Sequence, residues 1–224
     1  AYQIDIDNRI VLSENIQGSA TGTATQRAIY TLLQPFGVTT ARFFINGVDT
    51  QTKGVDVVGR YRLDSETAGR FDFTLAANFN DTKVKRVPTT STLSSLPVPP
   101  ALFSRVNVAI FEEGTPDKKF VASTDWSKGP FSATLKGAYY GSVLVPNSNQ
   151  TLDYRTGAKS VWDLEGRYAF AQNVTWAVGV NNLFDTYPNK APAAVNTTGV
   201  TAFSSFSPFG FNGRFLYTRL AYNW

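Results

Sequence analysis

Histidine, cysteine and methionine are all absent from the 224 residues. Without cysteine there are no disulfides, thiol nucleophiles or thiolate metal ligands, and without histidine there is no imidazole for a zinc site or a Ser-His-Asp triad. The usual axial haem ligands go with them. Long apolar runs are missing too: hydrophobic residues make up 42% of the chain, yet no stretch is long enough to cross a bilayer as a helix. Charge is sparse, at 17%. Position 1 is Ala rather than Met, so the chain reads as a processed product or a piece of something longer. What is present suits β-structure: aromatics reach 14%, with abundant Gly, Thr, Ser and Asn. A net charge of +4 raises the question of phosphate binding, but the basic residues are scattered. Only Lys83, Lys85 and Arg86 cluster, as a solvated strand end does, and nucleic acid is set aside as a partner.

Period-two alternation recurs along the chain while helical periodicity is weak. In Val161 to Phe170, Trp162, Leu164, Tyr168 and Phe170 alternate with Asp163, Glu165 and Arg167. The run from Phe71 sets Phe71, Phe73, Leu75, Ala77 and Phe79 against Asp72, Thr74, Ala76, Asn78 and Asn80. Val55, Val57, Gly59, Tyr61 and Leu63 likewise oppose Asp56, Val58, Arg60 and Arg62. Each run has one greasy and one polar face, which fits a soluble sandwich or a membrane sheet equally.

The connections separate the two. Short links (Asp64 to Gly69, Lys128 to Pro130, Ala171 to Asn173) alternate with long ones (Asn15 to Thr39, Val87 to Pro116, Val145 to Ala158, Asp185 to Gly210). Such loops argue against a compact soluble domain and suit a barrel with short turns at one rim and long loops at the other. Eight strands are expected: Tyr2 to Ser13, Thr40 to Leu63, Arg70 to Lys85, Asp117 to Ser127, Phe131 to Leu144, Lys159 to Phe170, Val174 to Phe184 and Phe211 to Trp224. Several exceed the roughly 9–11 residues that a tilted strand needs to cross the hydrocarbon. Ala24 to Phe36 alone has helix-like spacing and predicts a short helix in the first long loop. Trp126, Phe131, Tyr168, Phe170, Trp176, Tyr222 and Trp224 fall near the short-turn ends, as an interfacial aromatic belt requires.

The last run, FNGRFLYTRLAYNW, alternates to a terminal aromatic with Leu216, Thr218, Leu220, Tyr222 and Trp224 on one face. It resembles the C-terminal strand of bacterial outer-membrane proteins, and the resemblance makes Leu220, Tyr222 and Trp224 candidates for the signal that the barrel-assembly machinery reads. WAVGVNNLFD (Trp176 to Asp185), followed by Tyr187, resembles the penultimate strand of TonB-dependent receptors, where an N-L-F-D element leads into the last external loop. YQIDIDNRIVLS, ARFFINGVDTQTKGVDVVGRYRL and TPDKK are similar to further elements of that family. The resemblance implies an all-β fold, an antiparallel transmembrane barrel of about 22 strands around a plug. Residues 1 to 224 would then be the C-terminal portion, about eight up-and-down strands, with the plug and earlier strands outside this chain. Eight strands can also close alone as a small barrel, so a stand-alone small outer-membrane or soluble β-protein with a structural or adhesive role stays open.

With the apolar faces toward lipid, Asp56, Arg60, Arg62, Asp72, Asp163, Glu165, Arg167 and Arg219 would face the lumen, together with Asp125 and Lys136. Cross-strand ion pairing competes there with ligand contact. Since the family's ligands meet external loops, the resemblance makes Tyr30, Phe36, Phe103, Phe203, Phe206 and Phe209 loop ligand candidates. No catalytic residue, cofactor or metal site is expected: Asp163 and Glu165 share one strand face, Glu112 and Glu113 are adjacent, and no phosphate-binding glycine loop is present. The resemblance implies uptake of a scarce nutrient (a ferric siderophore, cobalamin or a glycan) across the bacterial outer membrane. Its partners would be outer-membrane lipid, the rest of the receptor chain and the TonB complex, reached through the missing N-terminal region.

Overall fold

The computed structural model describes residues 1–224 except 172, 198 and 223. Eight long strands carry the chain: β1 (Tyr2–Leu12), β2 (Phe44–Ser65), β3 (Gly69–Arg86), β4 (Lys118–Lys128), β5 (Phe131–Tyr140), β6 (Lys159–Ala171), β7 (Val174–Asn181) and β8 (Phe215–Tyr222). They form one sheet in strict sequence order, β1 and β8 being its edges. The ladders from β3 to β8 are antiparallel. The short links account for three of the neighbour pairs, β2–β3, β4–β5 and β6–β7, because a connection of a few residues can only return the chain beside the strand it has left. At the turn between β4 and β5, Gly129 adopts a left-handed φ of 58°, which a side chain would oppose.

The chain divides into two compact units, one of Gly54–Asn80 and Glu113–Trp224 with Ala1, the other of Tyr2–Lys53 and Asp81–Glu112. The second holds the apolar cores. Its helix α1 (Ala24–Leu33) realises the predicted helix, closed at its N-terminus by a capping box: Thr23 N–H donates to Gln26 Oε1 at 2.9 Å and Gln26 N–H to Thr23 Oγ1 at 3.3 Å. Ile29 of α1 packs with Ile16, Leu93 and Leu102. Thr23→Ala, which removes the cap acceptor, is expected to destabilise this unit by about 1 kcal/mol, read as faster amide exchange in residues 24–33 with the sheet unchanged.

A second core joins Val11, Val48 and Phe103 to Val108 and Phe111 of α3 (Arg105–Glu113), α2 being the single turn Ser91–Ser94. The sequence predicts a loop over residues 87–116. Instead Ser104 starts α3 by accepting from Asn107 N–H and Val108 N–H, and the i, i+3 pair Val108 and Phe111 turns inward. Nearby, Arg86 grips Asp49 with Nε at 2.6 Å and Nη2 at 2.9 Å, and the same Nη2 reaches Asn8 Oδ1 at 2.7 Å.

Four strand ends differ from expectation by three residues or more, and one of them is β7, which stops at Asn181 rather than Phe184 because Asn182 takes left-handed backbone. Thr40–Ala41 pairs with Ile16–Gln17, so β2 begins at Phe44. β5 stops at Tyr140 because Leu144–Val145 forms a separate ladder with Tyr154–Arg155. β8 starts at Phe215, four residues late, since Gly210 and Gly213 take φ values of 74° and 73° and Arg214 N–H is held by Asp185 Oδ1 at 2.8 Å.

In the first unit the sheet has two unlike faces. One row of cross-strand partners runs Asp72, Asp125, Thr134, Glu165, Gly179, Tyr217, and the next Arg70, Ser127, Ser132, Arg167, Ala177, Arg219. The opposite face carries Phe71, Trp126, Phe131, Tyr168, Trp176 and Tyr222 toward the short turns, and Phe79, Phe120, Tyr139 and Trp162 toward the long loops. Between these aromatic belts lie aliphatic side chains in the open: Leu75 is 65% exposed and Leu216 72%. From Phe71 to Phe79 the strand rises about 27 Å along its own axis, which a tilt of about 40° reduces to the order of a hydrocarbon core. The two tryptophans of the short-turn belt keep their polar edges satisfied, Trp126 Nε1–H on Ala68 O at 2.8 Å and Trp176 Nε1–H on Thr218 Oγ1 at 2.7 Å.

Candidate functional site

The polar face concentrates its charges around Glu165, whose side chain is only 13% exposed. Tyr217 Oη–H donates to Glu165 Oε2 at 2.8 Å, Arg219 Nη2 approaches the same oxygen at 3.2 Å, and Arg167 Nη1 lies 3.2 Å from Oε1. Arg167 also reaches back through Nη2 to Thr134 Oγ1 at 2.6 Å and through Nε to Ser132 Oγ at 3.2 Å, while Thr134 donates to Asp125 Oδ1 at 2.5 Å. One carboxylate thus gathers two guanidiniums and a phenol from β6 and β8. Tyr217 reaches it only because its cross-strand partner is Gly179, where a Cβ would overlap the phenol ring. Gly179→Ala is expected to push the ring aside, lose the Tyr217–Glu165 hydrogen bond and cost about 1 kcal/mol, measured by urea unfolding in detergent micelles.

Nearer the β2–β3 turn, Asp72 is held by Arg62 Nε and Arg70 Nε, both at 2.7 Å. Toward the loops, Asn78 Nδ2 donates to Asp56 Oδ1 at 2.6 Å. Asp163 stands beside Lys136 in register and accepts from Asn182 N–H at 2.8 Å. Arg60 shares the parity of Asp56 and Arg62 and carries no ion pair among the described residues. Asp56, Arg60, Arg62, Asp72, Asp163, Glu165, Arg167 and Arg219 therefore lie on one face, and five of them are tied into ion pairs. Leu220, Tyr222 and Trp224 occupy or adjoin the opposite, apolar face, with Trp224 fully exposed. Among the described residues no group of three or more acidic side chains is arranged to hold a metal ion.

The N-L-F-D element is a strand exit. Asn182 (φ 53°) and Asp185 (φ 57°) both take left-handed backbone, which Asn and Asp tolerate better than other side-chain-bearing residues. Asn182 exchanges side-chain bonds with Thr186, accepting from its N–H at 2.7 Å and donating to its carbonyl at 2.8 Å. Asp185 then ties the far end of the loop through Arg214 N–H. Burial, and next the Asp185 charge, raises the pKa of the Tyr187 phenol above its ordinary value.

This loop builds two cavities that share Phe211. One, of about 390 Å³, is lined by Tyr154, Asn147, Asn196, Phe203 and Phe206; the other, of about 530 Å³, by Tyr140, Asp163, Arg214 and Phe209. Phe203 stacks on Tyr187 at 5.3 Å, and Phe209 packs on Tyr140 at 5.7 Å. Three of the six loop aromatics are thus brought to open cavities. In the other unit, Phe103 is 7% exposed with its ring edge-to-face on Phe111, Tyr30 is half-buried on α1, and Phe36 stands in solvent.

Two-faced strands, aromatic belts and alternating short and long connections set the terms for comparison with known proteins. The model of a family described as "TonB dependent receptor-like, beta-barrel" matches residues 1–183. The chain belongs to the TonB-dependent receptor barrel family. No curated protein matches its sequence. Among solved structures it is similar to the copper transporter OprC (TM-score 0.54, 15% identity, covering 98% of this chain and 28% of that one). A mutant of the ferric enterobactin receptor PfeA from Pseudomonas aeruginosa gives the same values. The FrpB iron transporter from Neisseria meningitidis follows (TM-score 0.54, 13% identity, 81% of this chain and 24% of that one). The chain spans less than a third of the length of these receptors, and the shared feature is the fold. The eight-stranded antiparallel sheet is thus a stretch of TonB-dependent receptor barrel.

Sequence reasoning missed Tyr217, Gly179 and the two left-handed residues. Parity alone would have put Tyr217 on the polar face beside Arg219. The others needed backbone geometry.

Proposed function

We propose that residues 1–224 form the C-terminal barrel portion of an outer-membrane receptor that imports a scarce nutrient, a ferric siderophore, cobalamin or a glycan, on energy delivered by the TonB complex. The observation that carries this reading is the pairing of an open apolar, aromatic-belted face with a polar face whose charges form a bonded network, in a chain of this family. The apolar face meets outer-membrane lipid; the face with Asp56, Arg60, Arg62, Asp72, Asp163, Glu165, Arg167 and Arg219 lines the lumen, where water or a plug spares these charges the cost of lipid.

The rest of the receptor chain supplies the plug, the remaining strands and the N-terminal contact with TonB. Leu220, Tyr222 and Trp224 present the assembly signal to the barrel-assembly machinery. Ligand meets the external loops, and Phe203, Phe206 and Phe209 are the first residues to test, ahead of Tyr30, Phe36 and Phe103. Aromatic-lined cavities of a few hundred Å³ are of the size that small ligands occupy.

The test is accumulation of radiolabelled ferric siderophore, cobalamin and an oligosaccharide in cells that make the whole receptor, with and without a working TonB. TonB-dependent accumulation of one probe is expected, reduced by Phe203→Ala or Phe209→Ala with the receptor still in the outer membrane. Accumulation no greater than in receptor-deleted cells for every probe sinks the transport reading.

A further inference from the structure

Asparagine followed by glycine occurs twice in the chain, at Asn46–Gly47 and Asn212–Gly213. Such a pair carries its own chemistry. Glycine has no side chain to shield its backbone nitrogen, so that nitrogen can reach the carbonyl carbon of the preceding asparagine side chain by local rotation alone. The fold treats the two pairs differently. Asn46 and Gly47 lie inside β2, which is hydrogen-bonded to a strand on either side. Gly47 is buried against Pro88, whose Cβ would stand 2.9 Å from a Cβ placed there. Extended backbone, with ψ of about 135°, also turns the following nitrogen away from the side-chain carbonyl carbon.

Asn212 is exposed and stands in irregular chain before β8 begins at Phe215. Its neighbour Gly213 takes a left-handed φ of 73°. Among the described residues neither the Asn212 side chain nor the Gly213 N–H makes a hydrogen bond, so closing a ring between them breaks none. The next residue is fixed: Asp185 Oδ1 accepts from Arg214 N–H at 2.8 Å. Asn212 also lines the larger loop cavity, where Asp163 and Arg214 supply one charge of each sign.

We propose that Asn212–Gly213 is a self-modification site, where the fold leaves open the ring closure that it blocks at Asn46–Gly47. The Gly213 backbone nitrogen attacks Asn212 Cγ. The new N–Cγ bond forms as the Cγ–Nδ2 bond breaks, and Nδ2 leaves as ammonia with the proton from Gly213 N–H. Water then opens the cyclic imide. Attack at Cγ restores the backbone and leaves aspartate, whereas attack at the Asn212 backbone carbonyl carbon leaves isoaspartate, with the chain rerouted through Cβ and Cγ. Either product puts a carboxylate in place of a neutral amide, so the cavity wall passes to an excess of negative charge beside Arg214. Isoaspartate also adds a methylene to the backbone just ahead of the pinned Arg214. Solvent water is the one co-reactant, and the chemistry is independent of what the receptor imports.

The test is heavy-oxygen labelling, since hydrolysis of the ring fixes one oxygen of water in the new carboxyl group. The whole receptor in detergent micelles is aged in heavy-oxygen water at mildly alkaline pH, digested with an acid protease in ordinary water and mapped by mass spectrometry. Label is expected in the peptide that holds residue 212, as aspartate and isoaspartate. It should enter more than about tenfold faster than in the peptide that holds residue 46, whose strand has to open first. In receptor unfolded in urea the two peptides should label at similar rates. Asn212→Gln, which would have to close a larger ring, should lose the label at 212. Equal labelling of the two peptides in the folded receptor, or no label at 212 where the unfolded receptor takes it up, overturns the assignment. A difference that persists unchanged in urea overturns it as well, because its cause would then be local sequence and not the fold.

Discussion

Leu164→Arg is expected to destabilise the barrel by about 2–4 kcal/mol in a bilayer. Leu164 stands on the apolar face between Trp162 and Tyr168, in register with Leu135 and Val180. Both aromatic belts are two to four residues away along the same strand, so the guanidinium has to reach several ångströms along the sheet to find the headgroups. A snorkelling arginine recovers part of the cost, which is why the expected loss stops short of full charge burial. Thr74→Arg makes the matching test, because Thr74 pairs with Ser123 on the polar face. That change is expected to stay within about 0.5 kcal/mol. Urea unfolding in lipid vesicles measures both. Equal losses at the two positions would mean that the apolar face does not meet lipid.

Glu165→Gln should cost about 2 kcal/mol. The substitution keeps the shape and one acceptor oxygen for Tyr217 but removes the charge that Arg167 and Arg219 share. Two guanidiniums are then left facing a neutral amide, and the loss is that of a stranded charge pair rather than of a surface salt bridge. Exposure tempers it: Arg219 is 60% exposed and can turn to water, while Arg167, at 30%, keeps Thr134 and Ser132 as partners. A double-mutant cycle with Arg219→Gln isolates the pair. Coupling of about 0.5–1.5 kcal/mol is expected, and coupling near zero would mean that the hub is held together by Arg167 and Tyr217 alone. If the polar face lines a lumen, added salt should shrink the coupling only modestly, because Glu165 itself is nearly covered.

The two faces were legible because a strand's side chains alternate strictly, so the charged residues Asp163, Glu165 and Arg167 name their own face before any partner is known. The short links were legible for a related reason: three to six residues between alternating runs leave the chain no route except back along its neighbour. Helix α1 announced itself through Ile29, Leu32 and Leu33. Helix α3 did not, since Val106, Val108 and Ile110 alternate like a strand, and only the partners of Val108 and Phe111 in the core turn the segment into a helix.

The sequence by itself determined the two-faced strands, the hairpins across the short links and the absence of thiol and imidazole chemistry, because these depend on residue identity and on local spacing along the chain. Tertiary structure alone decided that Glu165 gathers Arg167, Arg219 and Tyr217, and that Phe203 and Phe209 reach cavities while Phe103 is buried. It also decided that the Trp162 indole lies across Gly137 while the space over Gly59 stays open. Each of these depends on register between strands or on left-handed turns at Asn182 and Asp185. Register is a property of pairs of segments, set by the backbone ladders that bring Glu165 to Tyr217, 52 residues further along the chain, and no local pattern encodes it.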